Sequence, residues 1–175
     1  MAELLTVGHG RLDEEGLGSL LRDASVELLV DVRRFPGSRA NPAVSRDALP
    51  AWLPGIGIDY RWEERLGGRR KLPAGDDEDP WWQVDAFRAY AAHTRSEEFR
   101  EALGTILEEV AARRVAVMCS ESVWWRCHRR VVADVAVLAH GVDVRHLMHD
   151  GRLTEHKPSE GARLRSDGLV VWDGA

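Results

Sequence analysis

"VAVMCSESVWWRCHRRVVADVAVLAHGVDVRHL", Val115 to Leu147, reads in succession as a strand, a loop, a helix and a second strand. Its opening "VAVMC" is a short apolar run, the pattern of a strand buried on both faces. Val131, Val132, Val135 and Leu138 then recur at helical spacing, and Gly141 stands where a helix commonly ends. "VDVRHL", Val142 to Leu147, resumes an extended pattern. Two strands joined through one amphipathic helix form the right-handed crossover unit of a parallel sheet.

The same alternation continues upstream. "LLTV", Leu4 to Val7, is a strand closed by Gly8-His9-Gly10, after which Asp13, Glu14 and Glu15 begin a helix carrying Leu17, Leu20 and Leu21. "ELLVDV", Glu27 to Val32, is the second strand, and "RRFPGSRANP" after it is irregular because Pro36, Gly37 and Pro42 oppose regular structure. Ser45 is placed to cap a short helix through Leu53, and Ile58 to Trp62 is a weaker third strand. Residues 67–80, with a Gly-Asp-Asp-Glu-Asp core, read as a mobile acidic loop over one rim. Helical pattern resumes from Asp85 to Ala92 and again from Ser96, with Phe99, Leu103, Ile106, Leu107 and Val110 on one stripe. "GLVVWDG" near the end is expected to add an edge strand. The expectation is one α/β domain over 1–175, a Rossmann-like three-layer sandwich. Its mainly parallel five-stranded sheet has order 3-2-1-4-5 and helices on both faces, with order 2-1-3-4-5 left open.

Composition narrows the function classes. With 175 residues and 44% hydrophobic content the chain can bury a sizeable core. It has no apolar run near the roughly 20 residues a bilayer requires and no secretory pattern at its start, so a cytoplasmic protein without membrane contact is expected. In a reducing compartment Cys119 and Cys127 are expected to remain thiols, and their spacing is not a standard zinc spacing. The formal charge of −5 opposes a general nucleic-acid coat, which needs a broad cationic surface, but leaves room for a local basic pocket.

Chemistry-bearing residues gather at the carboxyl ends of the expected strands, the edge where open parallel sheets bind ligands. His9 follows the first strand; Asp31, Arg33, Ser38 and Arg39 lie at and after the second; Cys119 and Glu121 end and follow the fourth. In "RCHRR", Cys127 or His128 falls in the first helical turn, where unpaired N–H groups and arginine neighbours favour an anion and a thiolate. Cys127 is therefore the nucleophile candidate, with Cys119 more suited to packing. His128, Glu121, His9 and Asp31 are candidates for acid–base work, while Arg33, Ser38, Arg39, Arg126 and Arg129 can hold phosphate or carboxylate. Each has a plainer reading: a cysteine at a strand end often packs, a buried aspartate often only accepts hydrogen bonds, and tryptophans mostly fill cores. His146-x-x-His149 is a weak metal signal, and no metal site or cofactor is assigned.

Several motifs fail. Gly8-His9-Gly10 lacks the third glycine of a dinucleotide fingerprint, and no Gly-x4-Gly-Lys-[Ser/Thr] loop occurs. Cys119 and Arg126 enclose six residues without glycine, which opposes the five-residue phosphate cradle of cysteine phosphatases.

Taken in order, "TVGHG", "LVDVRRFPGSRANP", "LGGRR", "AFRAYAAH", "VAVMCSESVWWRCHRRVVAD" and "VRHLMHDGRLTEH" resemble the bacterial and archaeal family called domain of unknown function 488. The resemblance runs from about Thr6 to His156. It places the family pattern on His9, Asp31, Arg33, Pro36, Ser38, Gly67, Cys119, Glu121, Cys127, His128, Arg129, His146 and His156. It implies an α/β fold and a site, and names no reaction. The expected function is an enzyme acting on a small anionic substrate, phosphate-bearing and in the nucleotide or nucleic-acid-end class. The alternatives are a non-catalytic nucleotide or nucleic-acid binding module and a thiolate/histidine metal site. Oligomeric state is not legible.

Overall fold

The computed structural model describes residues 2–37 and 40–175. β1 (Glu3–Gly8), β2 (Leu28–Asp31), β3 (Asp59–Trp62), β4 (Val115–Cys119) and β5 (Asp143–Leu147) pair in parallel, and β6 (Leu153–Glu155) adds to β5 antiparallel, in the order β3-β2-β4-β1-β5-β6. The mainly parallel sheet and its helices bear out the α/β expectation. The order differs from 3-2-1-4-5 in one place: β4 inserts between β1 and β2. All five β4 side chains are buried, so the strand takes a position flanked on both edges, and the connection from β1 to β2 is long enough to span it.

Strand side chains alternate between two cores. Leu4, Val30, Val117 and Val144 face α3 (Asp85–His93), α4 (Glu97–Val110) and α5 (Arg129–His140), while Leu5, Val7, Leu29, Ala116 and Met118 face α1 (Glu14–Asp23) and α2 (Leu49–Trp52). The helix starts follow from capping. Asp13 Oδ1 accepts from Gly16 N at 2.8 Å, and Ser96 Oγ accepts from Phe99 N at 3.1 Å. Gly141, at φ 64°, ends α5 in the left-handed region. Ser45 closes a single turn by accepting from Ala48 N, and helix proper is confined to Leu49–Trp52.

The C-terminal expectation needs correction. β7 (Ala162–Leu164) and β8 (Val170–Trp172) form a separate antiparallel pair, because Trp172 is drawn under α5 and fully buried while β6 takes the sheet edge. The acidic loop is anchored near its end. Asp79 is buried and receives Arg95 at 3.0 and 2.6 Å and the Trp172 backbone N–H at 3.0 Å.

One buried polar chain crosses these layers with a single donor direction. Arg129 Nη1 donates to Thr6 Oγ1 (3.0 Å), the Thr6 hydroxyl to His146 Nδ1, His146 Nε2 to His156 Nδ1 (2.9 Å), and His156 Nε2 to Asp134 Oδ1 (2.7 Å). Asp134 also accepts from Ser159 N at 3.0 Å and Trp172 Nε1 at 2.8 Å. Trp124 stacks on the His146 ring, with centroids 4.3 Å apart and planes 3° from parallel.

Replacing Asp134 by alanine strands three buried donors, each costing about 1–3 kcal/mol, so Asp134→Ala is expected to lose about 3 kcal/mol or more in urea unfolding. Asp13→Ala, which removes one exposed cap, is expected to lose about 1 kcal/mol.

Candidate functional site

The site forms where β1 and β4 end side by side. Their pairing continues beyond the strands, with His9 N donating to Cys119 O at 3.0 Å and Gly10 N to Ser120 O at 2.9 Å. Gly8 is required for this approach, since a Cβ there would collide with the Glu121 carbonyl. The strand order thus brings His9 to the Cys119–Arg130 segment as expected, although β2 reaches the site from beyond β4 rather than from beside β1.

Asp31 organises the β2 side. Its carboxylate receives Arg33 Nε at 2.8 Å, Arg33 Nη2 at 2.7 Å, the Arg33 backbone N–H at 3.1 Å and the Tyr60 hydroxyl at 2.6 Å. Arg33 Nη2 also donates to Val44 O at 2.6 Å, and its Nη1 to His9 Nε2 at 3.2 Å. His9 is therefore the tautomer protonated at Nδ1, which donates to Gly10 O at 3.0 Å. Burial, reinforced by the Arg33 charge, holds its pKa below the ordinary histidine value. The Tyr60 phenol is pushed up by burial and by the Asp31 carboxylate beside it.

On the β4 side, a single 3-10 turn at Trp124–Arg126 folds the chain back, leaving Cys127 extended and placing His128 at the α5 N-cap. Cys127 thus precedes the helix instead of occupying its first turn, because the turn closes before α5 begins. The fold-back also brings Cys127 Sγ against Cys119 Sγ, with the Cα atoms 7.3 Å apart, wider than a disulfide spans, so the two side chains meet as neighbouring thiols. His128 Nε2 donates to Val32 O at 2.9 Å, which leaves Nδ1 as the acceptor, 3.6 Å from Cys127 Sγ. Burial pushes the His128 pKa down to about 4, so the ring is neutral at pH 7. Gly68 lies against this ring and the Tyr90 ring tilts over it at 4.8 Å.

These groups open into a cavity of about 400 Å³, within the size range of small-molecule sites. Of the residues singled out from sequence, His9, Arg33, Cys119, Glu121, Arg126, Cys127 and His128 line it. Asp31 does not line it and acts on it through Arg33. Arg129 is likewise not among the lining residues: it is buried, and Nη2 donates to the carbonyls of Glu121 (2.9 Å) and Ser122 (3.0 Å). Ser38 and Arg39 lie outside the described residues. The cavity adds Arg34, Phe35, Gly68, Arg69, Phe87 and Tyr90, which come from loops and from α3. Arg126 is exposed, and its guanidinium makes no hydrogen bond or ion pair among the described residues, whereas Arg33 is held on three sides. Among the described residues no group of three or more His, Cys, Asp or Glu is arranged to hold a metal ion, and no helix is long and apolar enough to cross a membrane.

No curated protein and no solved structure matches the chain. One family model does, over residues 14–136, a span that includes Asp31, Arg33, Cys119, Glu121, Cys127, His128, Arg129 and Asp134. The chain therefore belongs to the family described as Domain of unknown function DUF488.

Proposed function

We propose that the protein is an enzyme that acts on a small phosphate-bearing anion by nucleophilic displacement at Cys127. The observation that carries this reading is the aim of His128 Nδ1 at Cys127 Sγ, 3.6 Å away, in a cavity that Arg126 supplies with a cation unpaired among the described residues. The Val32 carbonyl fixes the ring through the opposite nitrogen, the part that a third, orienting group plays beside a nucleophile and its base. With both cysteines as thiols, His128 accepts the Cys127 proton and the thiolate attacks the electrophilic centre. The imidazolium returns that proton to the departing group. Arg126 and Arg33 hold the anionic end, and His9, kept neutral, steadies Arg33.

A non-catalytic anion-binding module is the second reading. One observation favours it: Cys127 is buried and precedes α5 instead of sitting in its first turn, and a cationic cavity binds an anion without a thiolate.

Pyrophosphate binding at low salt, followed by calorimetry, is expected to weaken about tenfold in Arg126→Ala, equivalent to about 1.4 kcal/mol. It is expected to be unchanged in Arg163→Ala, whose guanidinium is paired with Asp173 outside the cavity. After reduction, Cys127 is expected to react with iodoacetamide at pH 7 faster than free cysteine, and His128→Ala to slow it. A rate equal to that of free cysteine in the wild type selects the binding-module reading. The depressed His128 pKa also has a stability signature. Because the unfolded ring titrates near 6.5 and the folded ring near 4, His128 favours folding fully above about pH 6.5, and that contribution is lost as pH falls toward 4. Urea midpoints of the wild type are expected to fall more steeply between pH 7 and 4.5 than those of His128→Gln.

A further inference from the structure

The part of the cavity that anion chemistry does not explain is its aromatic rim. Phe35 is 62% exposed, the most exposed large apolar side chain among the described residues, yet it lines the cavity. Two guanidiniums attend its ring, Arg34 with its central carbon 5.5 Å from the centroid and Arg69 at 5.6 Å. Both distances are near the outer end of a cation–π contact, about 6 Å, and at that exposure the ring is not covered. Phe87 and Tyr90 add two more aromatic side chains to the lining.

This rim is built rather than incidental. Arg34 Nη1 donates to Arg69 O at 2.9 Å, joining the segment after β2 to the segment after β3. Their close approach depends on Gly67, where a Cβ would come within 2.6 Å of the Arg34 backbone. Arg69 itself adopts φ 58°, a left-handed conformation that a residue with a side chain takes only at a cost. A bare phosphate or a sugar phosphate has no flat ring to set against an exposed π face. A ligand with an anion at one end and a flat aromatic ring at the other uses that face and the arginines, because bases stack on aromatic side chains and guanidinium planes while arginine takes the phosphate.

We infer that the cavity takes a nucleoside phosphate, its phosphate held by Arg126 and Arg33 and its base stacked on Phe35 between Arg34 and Arg69. This rests on the anion-site reading above and adds the identity of the other end of the ligand. A free mononucleotide and the phosphorylated end of a nucleic acid share that chemistry.

The test measures equilibrium binding of AMP, GMP, CMP, UMP, ribose 5-phosphate and inorganic phosphate to the reduced full-length protein at low salt. At least one nucleotide is expected to bind about tenfold or more tightly than ribose 5-phosphate, within the range that base–aromatic stacking contributes. Phe35→Ala is expected to abolish that gain and to leave ribose 5-phosphate binding within about twofold; Phe35→Trp is expected to retain it. Since Phe35 is exposed, neither variant removes core packing. A 5′-phosphorylated trinucleotide, compared with the mononucleotide, shows which source is preferred, and a gain in either sustains the inference. Nucleotides that bind no more tightly than ribose 5-phosphate would overturn base recognition while leaving the anion site standing. A gain that survives in Phe35→Ala would overturn the assignment to this rim. Failure of every phosphate compound to bind would instead remove the anion site, and the base inference with it.

Discussion

The buried guanidinium of Arg129 is the constraint on which the site depends. It rises from the first residue of α5, reaches Thr6 in the central strand β1, and holds the carbonyls of Glu121 and Ser122 in the loop after β4. Strand, loop and helix therefore meet on one cation. Burying such a charge is costly unless its donors are satisfied, and here Nη1 and Nη2 are met by dipoles: among the described residues no carboxylate lies in ion-pair contact with it. Burial lowers its pKa to about 10, which leaves it charged at neutral pH. Its Nε has no partner among the described residues, so geometry at the loop takes precedence over complete satisfaction.

The far end of the same chain of hydrogen bonds is Asp134. A cation at one end and a carboxylate at the other polarise Thr6, His146 and His156 in one sense, and each ring is thereby fixed as a single tautomer. Burial drives the His146 pKa down to about 2, so this ring relays hydrogen bonds as a neutral group. The stacked Trp124 ring carries that rigidity into the turn that precedes Cys127. Placement of the nucleophile candidate is thus a property of the core as much as of the loop.

Local pattern made most of the fold legible. The apolar runs of β1, β2 and β4, the caps Asp13 and Ser96, and the terminating Gly141 each act within a few residues of the chain. Strand order was not legible, because a crossover of given length can skip a strand or not, and β4 took the inner place. At the site, residue type identified His9, Arg33, Glu121, Arg126, Cys127 and His128 as cavity groups, since strand ends and helix starts are where such side chains meet. It did not separate Arg126, which faces the cavity, from Arg129, which is turned inward three residues later. That distinction depends on where the 3-10 turn gives way to α5. Phe35, Arg69 and Tyr90 were not singled out because their loops and helix converge only in three dimensions, and Gly67 was the one local signal of a close approach.

The family match covers 14–136, but the material that shapes the site does not stop there. β1, which carries Thr6, Gly8 and His9, precedes it; His146, His156 and Trp172 follow it. A fragment cut to the matched span would keep both cysteines, His128 and the pocket arginines, yet lack the strand that runs through the middle of the sheet and the three donors that meet the Asp134 carboxylate among the described residues. Recognition by sequence and autonomy of folding thus have different boundaries in this protein, and transplanting the cavity into another scaffold would require both flanks to travel with it.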